Sequence, residues 1–152
     1  CDEGHNHHCD MRDHWLPTHP DAVEINLSDD RIWGTIVLAP WTGFVLEDGV
    51  SNVDNPIMIL TGDADETTNI SMVNGIVEDL DANLTQYGVF TNVGHYHFSP
   101  IGCELYGCVN NTDVEIVKNL TCDSALAFFA QLLEWPDASA LSLPESEYLT
   151  WQ

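Results

Sequence analysis

The sequence predicts an α/β fold in which parallel strands alternate with helices, and three observations carry that expectation. Apolar stretches at residues 32–38 and 57–60, and a shorter one within 87–93, read as short strands, and the unbroken run at 57–60 suits a strand covered on both faces. Stretches with helical spacing follow the second and third of them. Two of the strands also end in a glycine followed by titratable residues, as happens where a chain leaves the carboxyl edge of a parallel sheet.

Taken in order, residues 1–30 are polar, rich in His and Asp, and broken by Pro17 and Pro20, which predicts loop with one short helix over Met11 to Leu16. Asp2, His5, His7, His8, Cys9 and Asp10 are all able metal ligands, yet their spacing matches no defined zinc motif. No metal or other cofactor is therefore expected. The competing account is a flexible loop closed by a Cys1–Cys9 bridge or by a cysteine preceding Cys1.

"RIWGTIVLAP" predicts a strand over Ile32 to Leu38, stopped by Pro40, and Pro56 leads into a second over Ile57 to Leu60. After the acidic "GDADE", the residues Met72, Val73, Ile76, Val77, Leu80, Leu84 and Tyr87 recur at helical spacing, with Ser71 available as N-cap. That predicts an amphipathic helix of about four turns. "YGVFTNV" supplies a third strand, "GHYHFSP" and a cysteine-bearing loop follow, and "DSALAFFAQLLEW" predicts a helix halted by Pro136. The domain plan is a polar segment over 1–30, the α/β portion over 31–136 and an acidic tail over 137–152.

Composition bounds the function. Apolar residues make up 44% of the 152, enough for one core, while 25 acids against 3 bases give a formal charge of −22. Such a chain repels phosphate backbones and anionic membranes, so nucleic acid is excluded as a partner. No apolar run approaches the roughly 18 residues of a membrane span. Sequons begin at Asn26, Asn69, Asn83, Asn110 and Asn119, more than the one or two that chance would supply from 11 Asn and 19 Ser plus Thr. With five cysteines, at 1, 9, 103, 108 and 122, they point to a secreted, disulfide-bearing glycoprotein. Cys103 and Cys108 are close enough in sequence for a small loop bridge, which would leave Cys122 as the odd thiol. The opening on Cys1 instead of Met suggests a processed chain or a fragment.

Titratable groups stand at two strand ends. Asp63, Asp65 and Glu66 follow Gly62, and His95 and His97 follow Gly94. An Asp that orients an imidazole, and a His that moves protons, are two of the three parts of a nucleophilic triad. Trp41, Phe44, Tyr96 and Phe98 also follow strand ends and are candidates to line a pocket.

These residues resemble the α/β-hydrolase fold, in particular its dienelactone-hydrolase-like and platelet-activating-factor-acetylhydrolase-like serine esterases. "IMILTGDADETT" looks like that family's seventh strand and acid loop, "GHYHFSPIGC" like the loop after the eighth strand, "RIWGTIVLAPW" like the sixth strand and "ALAFFAQLLEW" like the closing helix. The resemblance covers about residues 30–135. It implies the C-terminal part of the fold, about three parallel strands with flanking helices. It also implies Asp65 as the triad acid and His95 as the base, with His97 as the alternative base. The implied activity is hydrolysis of a small ester or lipid. No Ser in the chain is flanked by Gly at both two-residue offsets, so the nucleophile elbow is expected upstream of Cys1. The alternative is a non-catalytic acidic binding or metal-binding domain derived from a hydrolase. Without its neighbouring fifth strand, the strand Ile32 to Leu38 is expected to be an exposed edge that invites association.

The charge excess generates one prediction for the chain as a whole. Screening relieves carboxylate repulsion, so the melting temperature rises between low and molar sodium chloride. A melting temperature that does not change over that range refutes it.

Overall fold

Pro56 sets where the sheet begins. Its carbonyl accepts from the Thr35 amide at 3.0 Å, but it has no N–H to give, so the parallel ladder opens one residue later, at Thr35 opposite Ile57. Strand β1 is therefore Thr35–Leu38, shorter than the expected Ile32 to Leu38, and β2 is Ile57–Gly62. The computed structural model describes residues 29, 31–41, 50, 53–108, 112–135 and 141–152. By its contacts the chain divides into residues 1–31 and 32–152. Of the first unit, Asp29 and Arg31 are described: the Arg31 guanidinium grips the carboxylate at 2.8 Å and 2.5 Å and holds it below the usual carboxylate range. The expected helix at Met11 to Leu16, the ligand-bearing N-terminal stretch with Cys1 and Cys9, Phe44, and the sequons at Asn26 and Asn110 lie outside the described residues.

In the second unit β2 pairs in parallel with β3, Thr85–Phe90, and β3 pairs antiparallel with β4, Leu149–Trp151, giving the order β1-β2-β3-β4. The sheet is thus α/β but mixed. The expected all-parallel set of three gains an antiparallel fourth strand, formed by residues assigned to an acidic tail. Leu149 pays for that docking: it is buried with Met58, Leu60, Phe90 and Val93, and the Trp151 indole donates to the Pro144 carbonyl at 3.1 Å. Burying a side chain such as Leu149 contributes roughly 1.5–3 kcal/mol. A window average over residues 137–152, with its three acids and its serines, hides a single leucine of that kind.

Alternation along β2 sorts the two faces. Met58 and Leu60 pack with Val117 and Phe128 of a long helix on one face, whereas Ile59 packs with Val73 of a shorter helix on the other. Helix α1 is Ile70–Asp79 and α3 is Val114–Leu132. The N-cap of α1 is Asn69, whose side chain accepts from the Ser71 amide, not Ser71 itself. The helix stops after ten residues because Asp81 accepts from the Asn83 amide and side chain at 2.8 Å and 2.9 Å. This Asx turn overrides the apolar spacing that continues to Leu84 and Tyr87. Tyr87 lies instead in β3, where its hydroxyl donates to Asn74 at 2.8 Å.

Helix α3 begins some nine residues before the expected start, capped by Asp113 on the Glu115 amide at 2.8 Å. Val117, Ser124, Ala127 and Phe128 share its buried face. The cysteine-bearing loop contains a further helix, α2, over Pro100–Tyr106, capped by Ser99 on the Gly102 amide at 3.1 Å. Cys103 and Cys108 are joined in a disulfide, and Cys122 is a free, exposed thiol. The sequon asparagines Asn69, Asn83 and Asn119 are exposed.

Helix α3 ends on a residue that dislikes its backbone. Glu134 takes φ of 47°, the left-handed conformation, while Trp135 donates back to the Ala130 carbonyl at 3.0 Å. Glu134→Gly is expected to stabilise the chain by about 1 kcal/mol, by relieving the Cβ penalty and removing an acid from the negative end of the helix. Urea unfolding measures it; equal or lower stability refutes it.

Candidate active site

The carboxyl ends of β1, β2 and β3 open on one edge of the sheet, and the pairing of β2 with β3 continues past their ends. The Asp63 amide donates to the Phe90 carbonyl at 2.9 Å and the Ala64 amide to the Val93 carbonyl at 3.2 Å. Asp63 adds a side-chain tie, accepting from the Asn92 amide at 2.7 Å. The acidic loop and the histidine loop are thus stitched together before either presents its functional group.

Gly62 makes that approach possible, for a reason of space. A Cβ there would lie 1.9 Å from the Val93 carbonyl oxygen, a backbone atom that cannot swing aside. Gly94 differs from the expectation that it, too, is needed for a sharp exit. Its φ of −97° and ψ of 177° are open to any residue, and a Cβ there would meet ordinary contacts from 3.5 Å outward.

Asp65 is buried at 4% exposure. Oδ1 accepts from the Thr67 and Thr68 amides at 2.8 Å and 2.7 Å, and Oδ2 from the Thr68 hydroxyl at 2.7 Å. Oδ2 also lies 3.0 Å from Nδ1 of His95. An ionised carboxylate only accepts, and the Thr68 hydroxyl proton is directed at Oδ2, so Nδ1 of His95 carries the proton. The Thr68 oxygen, 3.3 Å from Nδ1, then shares it. That tautomer leaves Nε2 with a free lone pair on a ring that keeps 29% exposure of its side chain. Chemically, the pair can take a proton at Nε2 and stabilise the resulting imidazolium with a buried, fixed carboxylate.

His97 is in a different situation. It is buried at 2%, its Nδ1 faces the Gly94 amide at 3.0 Å and the Gly94 carbonyl at 3.2 Å, and its Nε2 has no hydrogen-bond partner. Both histidines sit in one 3₁₀ turn, His95–Phe98, where residues two apart face different ways, the first partly exposed and the second buried. His97, Cys103 and Cys108 place three metal-ligating atoms within 4.8 Å of one another, but the two sulfurs are occupied by their disulfide bond.

Two clefts flank the His95 ring. One, of about 100 Å³, lies towards Glu66, Thr67 and Cys108. The other is a groove of about 440 Å³ between the end of β1 and α2. Tyr96 and Phe98 line the groove; Trp41, at the exit of β1, is 46% exposed and is not among the lining residues. The part of the wall that the sequence did not signal is Ile101, Leu105 and Tyr106, which become one surface only once α2 forms.

Compared with known proteins, the chain matches no family model and no curated sequence.

The two glycines separate steric need from sequence habit. Gly62→Ala is expected to cost about 1–3 kcal/mol by overpacking and to pull Asp65 from His95, whereas Gly94→Ala costs less than about 1 kcal/mol. Chemical denaturation, with the His95 ring resonances read by NMR, checks both. An unchanged Gly62→Ala protein would refute the steric account.

Proposed function

We propose that this chain supplies the acid and base of a serine-type ester hydrolase, with the nucleophile provided by sequence preceding Cys1. The observation that carries the proposal is the Asp65–His95 pair: a buried carboxylate saturated by donors, an imidazole of fixed tautomer, and both beyond the carboxyl ends of adjacent parallel strands. A partly exposed His95 ring that lines an apolar groove suits an uncharged ester. The disulfide and the exposed sequon asparagines suit an oxidising, secretory setting.

In the proposed mechanism His95 Nε2 takes the proton of the serine hydroxyl as its oxygen attacks the ester carbonyl carbon, and then gives that proton to the departing alcohol oxygen. Water enters, loses a proton to the same Nε2, and releases the acid as the serine oxygen regains its hydrogen. Asp65 stays ionised throughout and holds the ring. His95 is the proposed base because it reaches both the acid and the cleft. His97 borders the smaller cleft but touches neither the acid nor the apolar groove, and acts by anchoring the turn through Gly94.

The test uses the protein in which this chain is joined to a Gly-x-Ser-x-Gly segment preceding Cys1. His95→Ala is expected to lower turnover of p-nitrophenyl acetate by about 10²–10⁴. Asp65→Asn is expected to do so comparably: the Thr67 and Thr68 amides demand the amide oxygen, so its NH₂ faces Nδ1 and forces the wrong tautomer. His97→Ala should lower stability more than turnover. Normal turnover in His95→Ala, with loss in His97→Ala, would move the base by two residues. Normal turnover in both, or the absence of a serine reactive towards a fluorophosphonate, would end the hydrolase proposal.

A further inference from the structure

Among the described residues, the three most exposed large apolar side chains are Ile101 at 68%, Leu105 at 68% and Tyr106 at 67%, and all three stand on the single short helix α2. They face the groove beside His95, whose opposite wall is Leu38 and Ala39 at the end of β1. In a chain with 25 acids, no lining residue of this groove is an acid, and its one basic group is His95 itself. A wall that is apolar, exposed and cleared of carboxylates next to a proton-transfer group is not ordinary surface for so acidic a protein.

The wall is also held rigid. The disulfide Cys103–Cys108 closes the end of α2, Tyr106 stacks on Tyr96 with ring centroids 4.7 Å apart, and Tyr96 meets the His95 ring edge-on at 5.4 Å. The same contacts that fix α2 therefore fix its distance from the imidazole. A preformed apolar wall spares a ligand the ordering cost that a mobile loop would impose.

We infer that this groove is a hydrocarbon-chain subsite. It takes the acyl chain of an uncharged ester, along Leu38, Phe98, Ile101 and Leu105, with the ester carbonyl at His95. The inference rests on the hydrolase reading for the ester, while the chain-binding surface stands on its own geometry. The electrostatics favour this occupant over an anionic one: a net charge of −22 opposes a phosphorylated or carboxylate-bearing ligand, whereas a neutral chain meets no penalty and gains from each methylene removed from water.

The experiment separates the two layers. The 152-residue chain is titrated with 2-decanone, an uncharged stand-in for a medium-chain ester that cannot be hydrolysed, and with 2-hexanone. Methyl resonances of Ile101 and Leu105 are followed by NMR. Burial of methylenes at roughly three- to fourfold each predicts at least about tenfold tighter binding of the longer ketone, with shifts centred on those two residues. The double variant Ile101→Asp/Leu105→Asp should lose that binding, and Leu126→Asp, an equal change on an exposed leucine of α3, should retain it. Failure of 2-decanone to shift these methyls, equal affinity for both ketones, or shifts that follow protein concentration instead of ketone would overturn the inference, the last by assigning the surface to a second copy of the chain. In the serine-bearing protein, kcat/KM should rise from the acetyl to the octanoyl p-nitrophenyl ester. A flat series would overturn the acyl subsite while leaving the hydrolase reading intact, and ketone binding without turnover of any ester would do the reverse.

Discussion

The candidate site depends on a missing atom. Without a Cβ at Gly62, the end of β2 packs against the Val93 carbonyl, and the two exit loops come close enough to share backbone hydrogen bonds. The consequences follow in sequence. Asp63 reaches the Asn92 amide, the acidic loop folds back on itself, and the Asp65 carboxylate is delivered under the His95 ring. Val93 is itself fully buried in the cluster that contains Phe90 and Val117, so the loops are anchored from the core side. A site assembled from two surface loops thereby inherits the rigidity of the interior, which is what positioning a proton acceptor to a fraction of an ångström requires.

Burial of Asp65 would be costly if any of its lone pairs went unmet, and here four contacts from three residues meet them. Three of those contacts come from Thr67 and Thr68, immediately downstream, so the carboxylate is solvated by its own turn before the histidine arrives. The acid is therefore stable with or without its partner, and the imidazole is oriented by a group already held in place. Acidic bursts at strand ends commonly serve as solvated turns. In this one, Asp63 ties the loops, Asp65 turns inward and Glu66 stays on the surface.

How much of this was legible in the sequence varies with range. The Ile57 run and the long helices were readable from apolar spacing, because burial of one face leaves a local trace. The pairing of Asp65 with His95 was suggested by strand order and resemblance; its tautomer was not, because that depends on where the Thr68 hydroxyl points. Helix α1 was over-extended because the Asx turn at Asp81 and Asn83 costs only two short side chains and leaves the periodicity undisturbed. The first turns of α3 were missed because Asn119 and Thr121 dilute its pattern, although Asp113 before an apolar repeat was a usable cap signal. Strand β4 was invisible: its three residues acquire meaning only opposite Gly88, Val89 and Phe90. The inward turn of His97 is set by the 3₁₀ geometry and by its tie to Gly94, neither of which spacing reveals.

That late strand carries a kinetic consequence for the order of events during synthesis. β4 is antiparallel to β3 and separated from it in the chain by the histidine turn, α2 and the whole of α3. While the ribosome is still making α3, the outer edge of β3 has no strand to pair with from within this sheet, and the apolar cluster around Phe90 lacks Leu149. Closing it requires a contact of high sequence separation, the kind that chain entropy makes slow. The interval between the emergence of β3 and that of Leu149 is therefore when the nascent chain is most open to mispairing, and the net charge of the chain, −22, is well suited to keeping neighbouring nascent chains apart.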